Sequence, residues 1–314
     1  MSQITNLVKQ YLDYLSIERR RAPKTVEAYQ RYLSRFLAWA QIESPQDITA
    51  DLAANFRNYL SEAQFSADQF GKQTANLQKP TQYYHLVALR SFLRYLAKQN
   101  INTLAVKDVS LGESPKRVLS VLDDGEVESL LNSVQTKNLA GWRDQAILET
   151  LFATGLRVAE LCSLSRLDFS PDLGQLSLTK PSGGVRVVFL SVPAKKAVAS
   201  YLEKRQDENS ALFVNLGRGR KQTATSRLTP RSIQRTVKKY ALLAGVDPKK
   251  VTPSALRHAF ACGLLRAGAD VASVQKLLGH AHLSTTQVYT KLASLDELRV
   301  ADCELNFKEG LKMN

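Results

Sequence analysis

Residues 112–117, G-E-S-P-K-R, constrain the fold more than any other stretch. Glycine, serine and proline end the helical periodicity that runs up to them, and two cations hold the segment in water, so it reads as a linker between separately folded parts. At 314 residues the chain exceeds the size of one typical domain, roughly 100–200 residues. Its 44% hydrophobic residues are enough for two ordinary cores. Residues 1–111 are therefore expected to form one domain and 118–314 a second.

The first part is patterned for helices throughout. Ile4, Leu7, Val8, Tyr11 and Leu15 lie on one 3.6-residue stripe, and Val26, Tyr29, Leu33, Phe36, Leu37 and Ala40 on another. A third helix follows Thr49 with Leu52, Phe56, Tyr59 and Leu60, and a fourth over 81–98 turns Leu86, Leu89, Leu93 and Leu96 inward. The predicted domain is small and all-helical, with four or five helices. On the far side of the fourth, Arg90, Arg94 and Lys98 recur every four residues, where like charges repel. A DNA backbone would supply the counter-charge, and a merely solvated face gives the same pattern. Arg19, Arg20, Arg21 and Lys24 crowd the turn beside Pro23 and are further phosphate-contact candidates.

Charge points the same way. Lysine and arginine number 43 against 29 acidic residues, a formal charge of +14 with pI near 9.7, the footprint of a polyanion binder. With no apolar run of transmembrane length and no apolar centre in the first ten residues, a soluble cytoplasmic protein is expected. Cys162, Cys262 and Cys303 are widely spaced and lack histidine partners at ligand spacing, so they read as reduced thiols, with no metal site and no disulfide framework.

The second part mixes helices with short strands. Asp123-Asp124-Gly125-Glu126 reads as a capping box opening a helix through Leu131, and a long helix over 142–154 stops at Gly155. Arg157 and Glu160 then stand at i and i+3 on a helical face, where the carboxylate either orients the guanidinium or forms an ordinary surface ion pair. The β-rich runs 174–180 and 184–192, joined by P-S-G-G, predict a hairpin with Lys180 at the end of its first strand. A helix over 193–203 follows, then a short strand in L-F-V-N-L with a basic turn. Thr229 and Pro230 next open a helix that displays Arg231, Arg235, Lys238 and Lys239.

The densest chemistry lies in 254–289, which reads S-A-L-R-H-A-F-A, then L-L-G-H, then S-T-T-Q-V-Y-T. It sets Arg257, His280 and Tyr289 on short helices separated by glycine-marked turns. A phenol, with a pKa of about 10, is a poor nucleophile without cations at the phosphoryl centre it attacks. Arg257, His280 and the upstream Arg157 of A-T-G-L-R-V-A-E-L would supply them. Guanidiniums suit a phosphorane because they donate in planar pairs and keep their charge.

These words resemble the tyrosine recombinase (phage integrase) family and its Xer-type members. The family's order of Arg, hairpin Lys, H-x-x-R, His or Trp, and Tyr is matched by Arg157, Lys180, Arg257, His280 and Tyr289. Ser254 occupies the position of the family histidine, and a serine cannot act as a base near neutral pH. His258, rotated by about 100° from Arg257 on a helix, is not expected to replace it. The family hairpin reads G-K-G-x-K-x-R, whereas T-K-P-S-G-G-V-R stands here and is one residue longer.

The resemblance implies a mainly α fold, in which a helical (SAM-like) core-binding domain precedes a mostly helical α/β catalytic domain with a small antiparallel sheet. It implies attack by Tyr289 on a DNA phosphodiester to give a 3′-phosphotyrosyl intermediate, with Lys180 as general acid and Glu160 as a support. No metal or nucleotide cofactor is then required. Implied partners are double-stranded DNA, a homo- or hetero-tetramer on paired sites and an activating DNA translocase, in a nucleoid-associated protein. Chromosome or plasmid dimer resolution at cell division is the implied process. Mobile-element integration, or a catalytically weakened DNA-binding homologue with Ser254, are the alternatives. Residues 295–314 would dock on a neighbouring protomer.

Overall fold

The structure, a computed structural model, describes residues 2–62, 64–66, 74–114, 121–179, 183–216, 224–290 and 292. The chain divides into two compact units, Met1–Arg117 and Val118–Asn314.

In the first unit, α1 (Gln3–Ile17) starts at Ser2, whose hydroxyl accepts from the Thr5 amide, and α2 (Pro23–Ala40) starts with proline at N1, where no amide hydrogen is needed. Next come α3 (Ala50–Glu62) and α4 (Lys79–Lys98). The anticipated stripes are the buried ones. Ile4, Tyr11, Phe36, Phe56, Leu89 and Phe92 form the centre of this core. Between α3 and α4 an antiparallel pair, β1 (Gln64–Ser66) with β2 (Thr74–Asn76), departs from the all-helical expectation. Neither Q-F-S nor T-A-N alternates apolar with polar residues over a readable length, so periodicity could not reveal it.

The second unit opens with α5 (Asp124–Asn132), and the anticipated capping box is formed. The Asp123 amide donates to Glu126 Oε2 (3.0 Å) and the Glu126 amide to Asp123 Oδ1 (2.8 Å). Helix α6 (Leu139–Thr154) is central, burying Ala146, Ile147, Leu148 and Leu151. It ends at Gly155, whose φ of +59° and approach to Phe260, 2.5 Å from where a Cβ would stand, both demand glycine. Helix α7 (Val158–Ser163) follows. The three-stranded antiparallel sheet has the order β3 (Phe169–Ser170), β4 (Gln175–Thr179), β5 (Val185–Phe189). The last ladder pair before the β4–β5 turn among the described residues is Thr179↔Val185, within the predicted hairpin.

Helix α8 (Val192–Glu203), the pair β6 (Val214–Leu216) and β7 (Ala224–Arg227), and helices α9 (Pro230–Leu243), α10 (Pro253–Arg266) and α11 (Val271–Leu278) complete the unit with α12 over 283–290. As anticipated, Thr229 caps α9, its hydroxyl accepting from the Ser232 amide at 3.2 Å. The molecule is thus mainly helical with small antiparallel sheets. Among the described residues no helix is long and apolar enough to cross a membrane. Cys162 and Cys262 are buried and not joined in a disulfide, and burial pushes the Cys162 thiol up to about 11. Cys303 lies outside the described residues.

Candidate active site

The site is assembled on the C-terminal end of α11. A helix end leaves its last carbonyls without intrahelical donors. Gly279, in the left-handed conformation, lets its own amide reach Gln275 and Lys276, and the His280 amide donates to the Gln275 carbonyl at 3.1 Å. The next three carbonyls take arginines. Arg186 Nη1 donates to Leu277 O (3.1 Å), Arg257 Nη2 to Leu278 O (2.7 Å), and Arg157 Nη2 to Gly279 O (3.3 Å). Cations suit this end of the helix dipole, each contributing about 0.3–1 kcal/mol.

Arg257, on α10, is buried, and Nη1 donates to Gly155 O at 2.6 Å, which ties it to the C-cap of α6. Burial first, then the neighbouring charge of Arg157, lowers its guanidinium to about 10, so it remains a cation at neutral pH. Arg157 keeps 46% of its side chain exposed, the arrangement of a cation that can meet an anion from solvent. It is the N-cap of α7 and not a residue within a helix, so its relation to Glu160 is a capping one. Its amide donates to Glu160 Oε2 (2.8 Å) and its Nη1 to Oε1 (3.1 Å). Glu160 is more than a surface ion pair, because Oε2 also lies 3.2 Å from Arg186 Nη2 and 3.9 Å from Arg257 Nη1.

His280 sits in the turn after Gly279 and not on a helix. Arg257 Nη2 lies 2.8 Å from its Nε2, and a guanidinium can only donate, so Nε2 is the bare nitrogen. Nδ1 then carries the proton toward Thr286 Oγ1 at 2.8 Å. Burial, followed by the charges of Arg257, Arg157 and Arg186, pushes the imidazole down to about 4, which agrees with the neutral tautomer. In this arrangement His280 accepts from Arg257 and orients it, in place of the cation that the sequence reading expects.

Tyr289, on α12, is 5% exposed and packs on Ala261, Cys262, Val274 and Leu278. Burial raises its phenol above the ordinary value, while the charge of Arg257 and a hydrogen bond from it pull the other way. Its ring neighbours are His258 and His280, with centroids 5.5 Å and 6.1 Å away. His258, set aside on helical rotation alone, is therefore beside the tyrosine, because α12 folds back over that flank of α10. Ser254, in the first turn of α10, is exposed. Lys180 lies outside the described residues, as do 217–223 of the basic turn and 293–314 of the tail.

Two residue groups expected to act separately share one surface in the first unit. Arg19 and Arg21 from the α1–α2 turn and Arg94 and Lys98 from α4 line a cleft floored by Tyr11 and Tyr95. Arg20 and Lys24 are exposed beside it in sequence, whereas Arg90 is half buried, with Nε lacking a hydrogen bond. In the second unit Arg231 and Arg235 are exposed on α9.

Comparison with known proteins decides the lineage. The family model described as "Phage integrase family" matches residues 120–295, and "Phage integrase, N-terminal SAM-like domain" matches 8–100. The chain belongs to the phage integrase family. Among the relatives of this recombinase, tyrosine recombinase XerC of Pelotomaculum thermopropionicum is 35% identical over 302 residues, covering 90% of this chain and 92% of that protein. Tyrosine recombinase XerD of Vibrio cholerae serotype O1 is 32% identical over 301 residues, covering 94% of each. It is accordingly a tyrosine-type strand-exchange enzyme.

Solved structures agree on the recombinase fold. XerH bound to palindromic difH substrate superposes with TM-score 0.67 at 21% identity, covering 90% of this chain and 80% of that one. A lambda integrase (75–356) dimer bound to a core site gives 0.66 at 20%, covering 92% and 95%.

The site residue that sequence reasoning missed is Arg186. It closes the hairpin word T-K-P-S-G-G-V-R, at the place of the arginine that ends the family's G-K-G-x-K-x-R, and stands in V-R-V-V-F, a strand otherwise apolar.

Proposed function

We propose that this enzyme performs Xer-type site-specific recombination on double-stranded DNA, with Tyr289 as nucleophile. The observation that carries the reading is the convergence of Arg157, Arg257, His280 and Tyr289, from four separate elements, on the turn that ends α11. Arg157 and Arg257 bind the non-bridging oxygens, whose charge grows as the phosphorane forms, so the transition state is held more tightly than the substrate. Tyr289 departs from that step as a 3′-phosphotyrosine, and the 5′ oxygen leaves as a hydroxyl protonated by Lys180. A 5′ hydroxyl from a second duplex then attacks the phosphotyrosine and joins the exchanged strand.

Exchange between two duplexes calls for four protomers. The kinship with XerC and XerD, whose shares of coverage leave no large part of either protein unmatched, supports resolution of chromosome or plasmid dimers as the process. The two-domain division at 112–117, cytoplasmic action at the nucleoid and activation by a DNA translocase belong to the same proposal. Arg19, Arg21, Arg94 and Lys98 hold the backbone on one side, and Arg231 and Arg235 reach it from α9.

A nicked suicide substrate tests this. The expected result is a covalent protein–DNA adduct that vanishes in Tyr289→Phe. Absence of any adduct from the unmodified enzyme on DNA it binds would overturn the nucleophile assignment.

A further inference from the structure

Three arginines, and not two, share the end of α11, and the third has no place in the phosphate chemistry described so far. Arg186 comes from β5, keeps only 10% of its side chain exposed, and spends both terminal nitrogens inside the protein, one on Leu277 O (3.1 Å) and one on Glu160 Oε2 (3.2 Å). These partners are the carboxylate that Arg157 also holds and the helix end on which the clamp arginines rest, and the phosphate step described above assigns Arg186 no oxygen. Its effect therefore passes through other groups. Resting on the reading of Arg157 and Arg257 as the phosphate clamp, we infer that Arg186 is a positioning residue, which occupies Glu160 so that the two clamp arginines keep their charge for the phosphate.

Charge balance supplies the reason. Glu160 is the sole carboxylate that ion-pairs with these arginines among the described residues, and it touches all three: Arg157 at 3.1 Å, Arg186 at 3.2 Å and Arg257 at 3.9 Å. With Arg186 in place, three guanidiniums face one carboxylate, and the surplus is available to an incoming anion. Without it, the same carboxylate has only Arg157 and Arg257 to compensate it in a partly buried site, where charge pairs are poorly screened. Arg257 Nη1, now 2.6 Å from Gly155 O, would be drawn across the 3.9 Å gap to Glu160, away from the position its carbonyl contacts define. A displacement of about 1 Å at a reacting centre is enough for a 100-fold rate loss. Arg186 also ties β5 to Leu277, so the sheet is fixed to the α11 turn on which the clamp arginines rest.

The experiment is single-turnover adduct formation on the nicked substrate, with DNA affinity measured in parallel, for Arg186→Gln, Arg186→Lys, Glu160→Gln and the Arg186→Gln/Glu160→Gln pair. Arg186→Gln is expected to slow adduct formation about 10- to 100-fold while DNA affinity stays within about threefold. Arg186→Lys, which restores charge without the fork, is expected to fall between that variant and the unmodified enzyme. It also serves as the reporter if Arg186→Gln melts before it can be assayed. The pair decides the mechanism. Once Glu160 is neutral, nothing competes for the clamp arginines, so the pair is expected to form adduct faster than Arg186→Gln alone. A pair no faster than that single variant, or an Arg186→Gln enzyme as fast as the unmodified one, would overturn the inference. Failure of the unmodified enzyme to form adduct would instead bring down the nucleophile assignment itself.

Discussion

At Gly279 the backbone takes φ +64° and ψ +45°, and a Cβ built there would stand 2.2 Å from Arg186 Nη1. Both conditions act together. The left-handed cap frees the Leu277, Leu278 and Gly279 carbonyls for arginines, and the missing side chain lets one of those arginines in. Gly279→Ala is therefore expected to cost about 1–3 kcal/mol of stability and to slow adduct formation by expelling Arg186. Thermal melting and suicide-substrate kinetics check it, and an alanine variant that melts and cleaves like the parent would refute it. Legibility divides along the same line. Arg257, His280 and Tyr289 were readable because characteristic words surround them, and Arg157 because it follows the glycine that stops α6. Arg186 was not, since an arginine in a strand usually points to solvent, and only the fold shows that this one meets Glu160 and Leu277. The tautomer of His280 was equally hidden, because it depends on a contact between residues 23 apart.

Among the elements, α4 was read correctly for its leucines and incompletely for its polar residues. His85 was not singled out, yet it is 2% exposed, with Nε2 2.9 Å from Arg35 Nη1 on α2 and Nδ1 2.8 Å from the Thr81 carbonyl. Arginine donates and a carbonyl accepts, so the ring must be neutral. Burial pushes it down to about 4 from the usual 6.5, the Thr81 bond working against the shift and Arg35 with it. Between those values the unfolded chain binds a proton that the folded chain does not, so stability falls as pH drops through this window. The loss attributable to His85 is on the order of 3 kcal/mol. Chemical denaturation at pH 7 and pH 4.5 should show a clearly smaller pH difference for His85→Gln than for the parent, and equal differences would refute the assignment. The helix positions themselves were legible because each apolar stripe spans several turns. The β1–β2 pair was not, since three polar-rich residues per strand carry no period.

Across the whole molecule, the excess of 43 basic over 29 acidic residues sets how DNA is held. Four of those cations, Arg19, Arg21, Arg94 and Lys98, gather in one cleft of the first unit although they come from two stretches about 70 residues apart. Close like charges repel unless an anion offsets them, and a nucleic-acid backbone releases its own counterions when it does so. The expected consequence is a linear fall of log affinity with log salt. Each phosphate contact removed lowers the slope by about 0.9. Arg94→Gln with Lys98→Gln should therefore flatten the slope by about 1.8 and weaken binding to all sequences alike, because phosphates carry no base information. The adduct-forming step, measured at saturating enzyme, should stay within about threefold of the parent, since neither residue lies in the unit that carries Tyr289. Fluorescence anisotropy titrations from low to moderate salt measure the slope. An unchanged slope would show that the cleft is a solvated basic surface and would move the phosphate contacts of the first unit elsewhere.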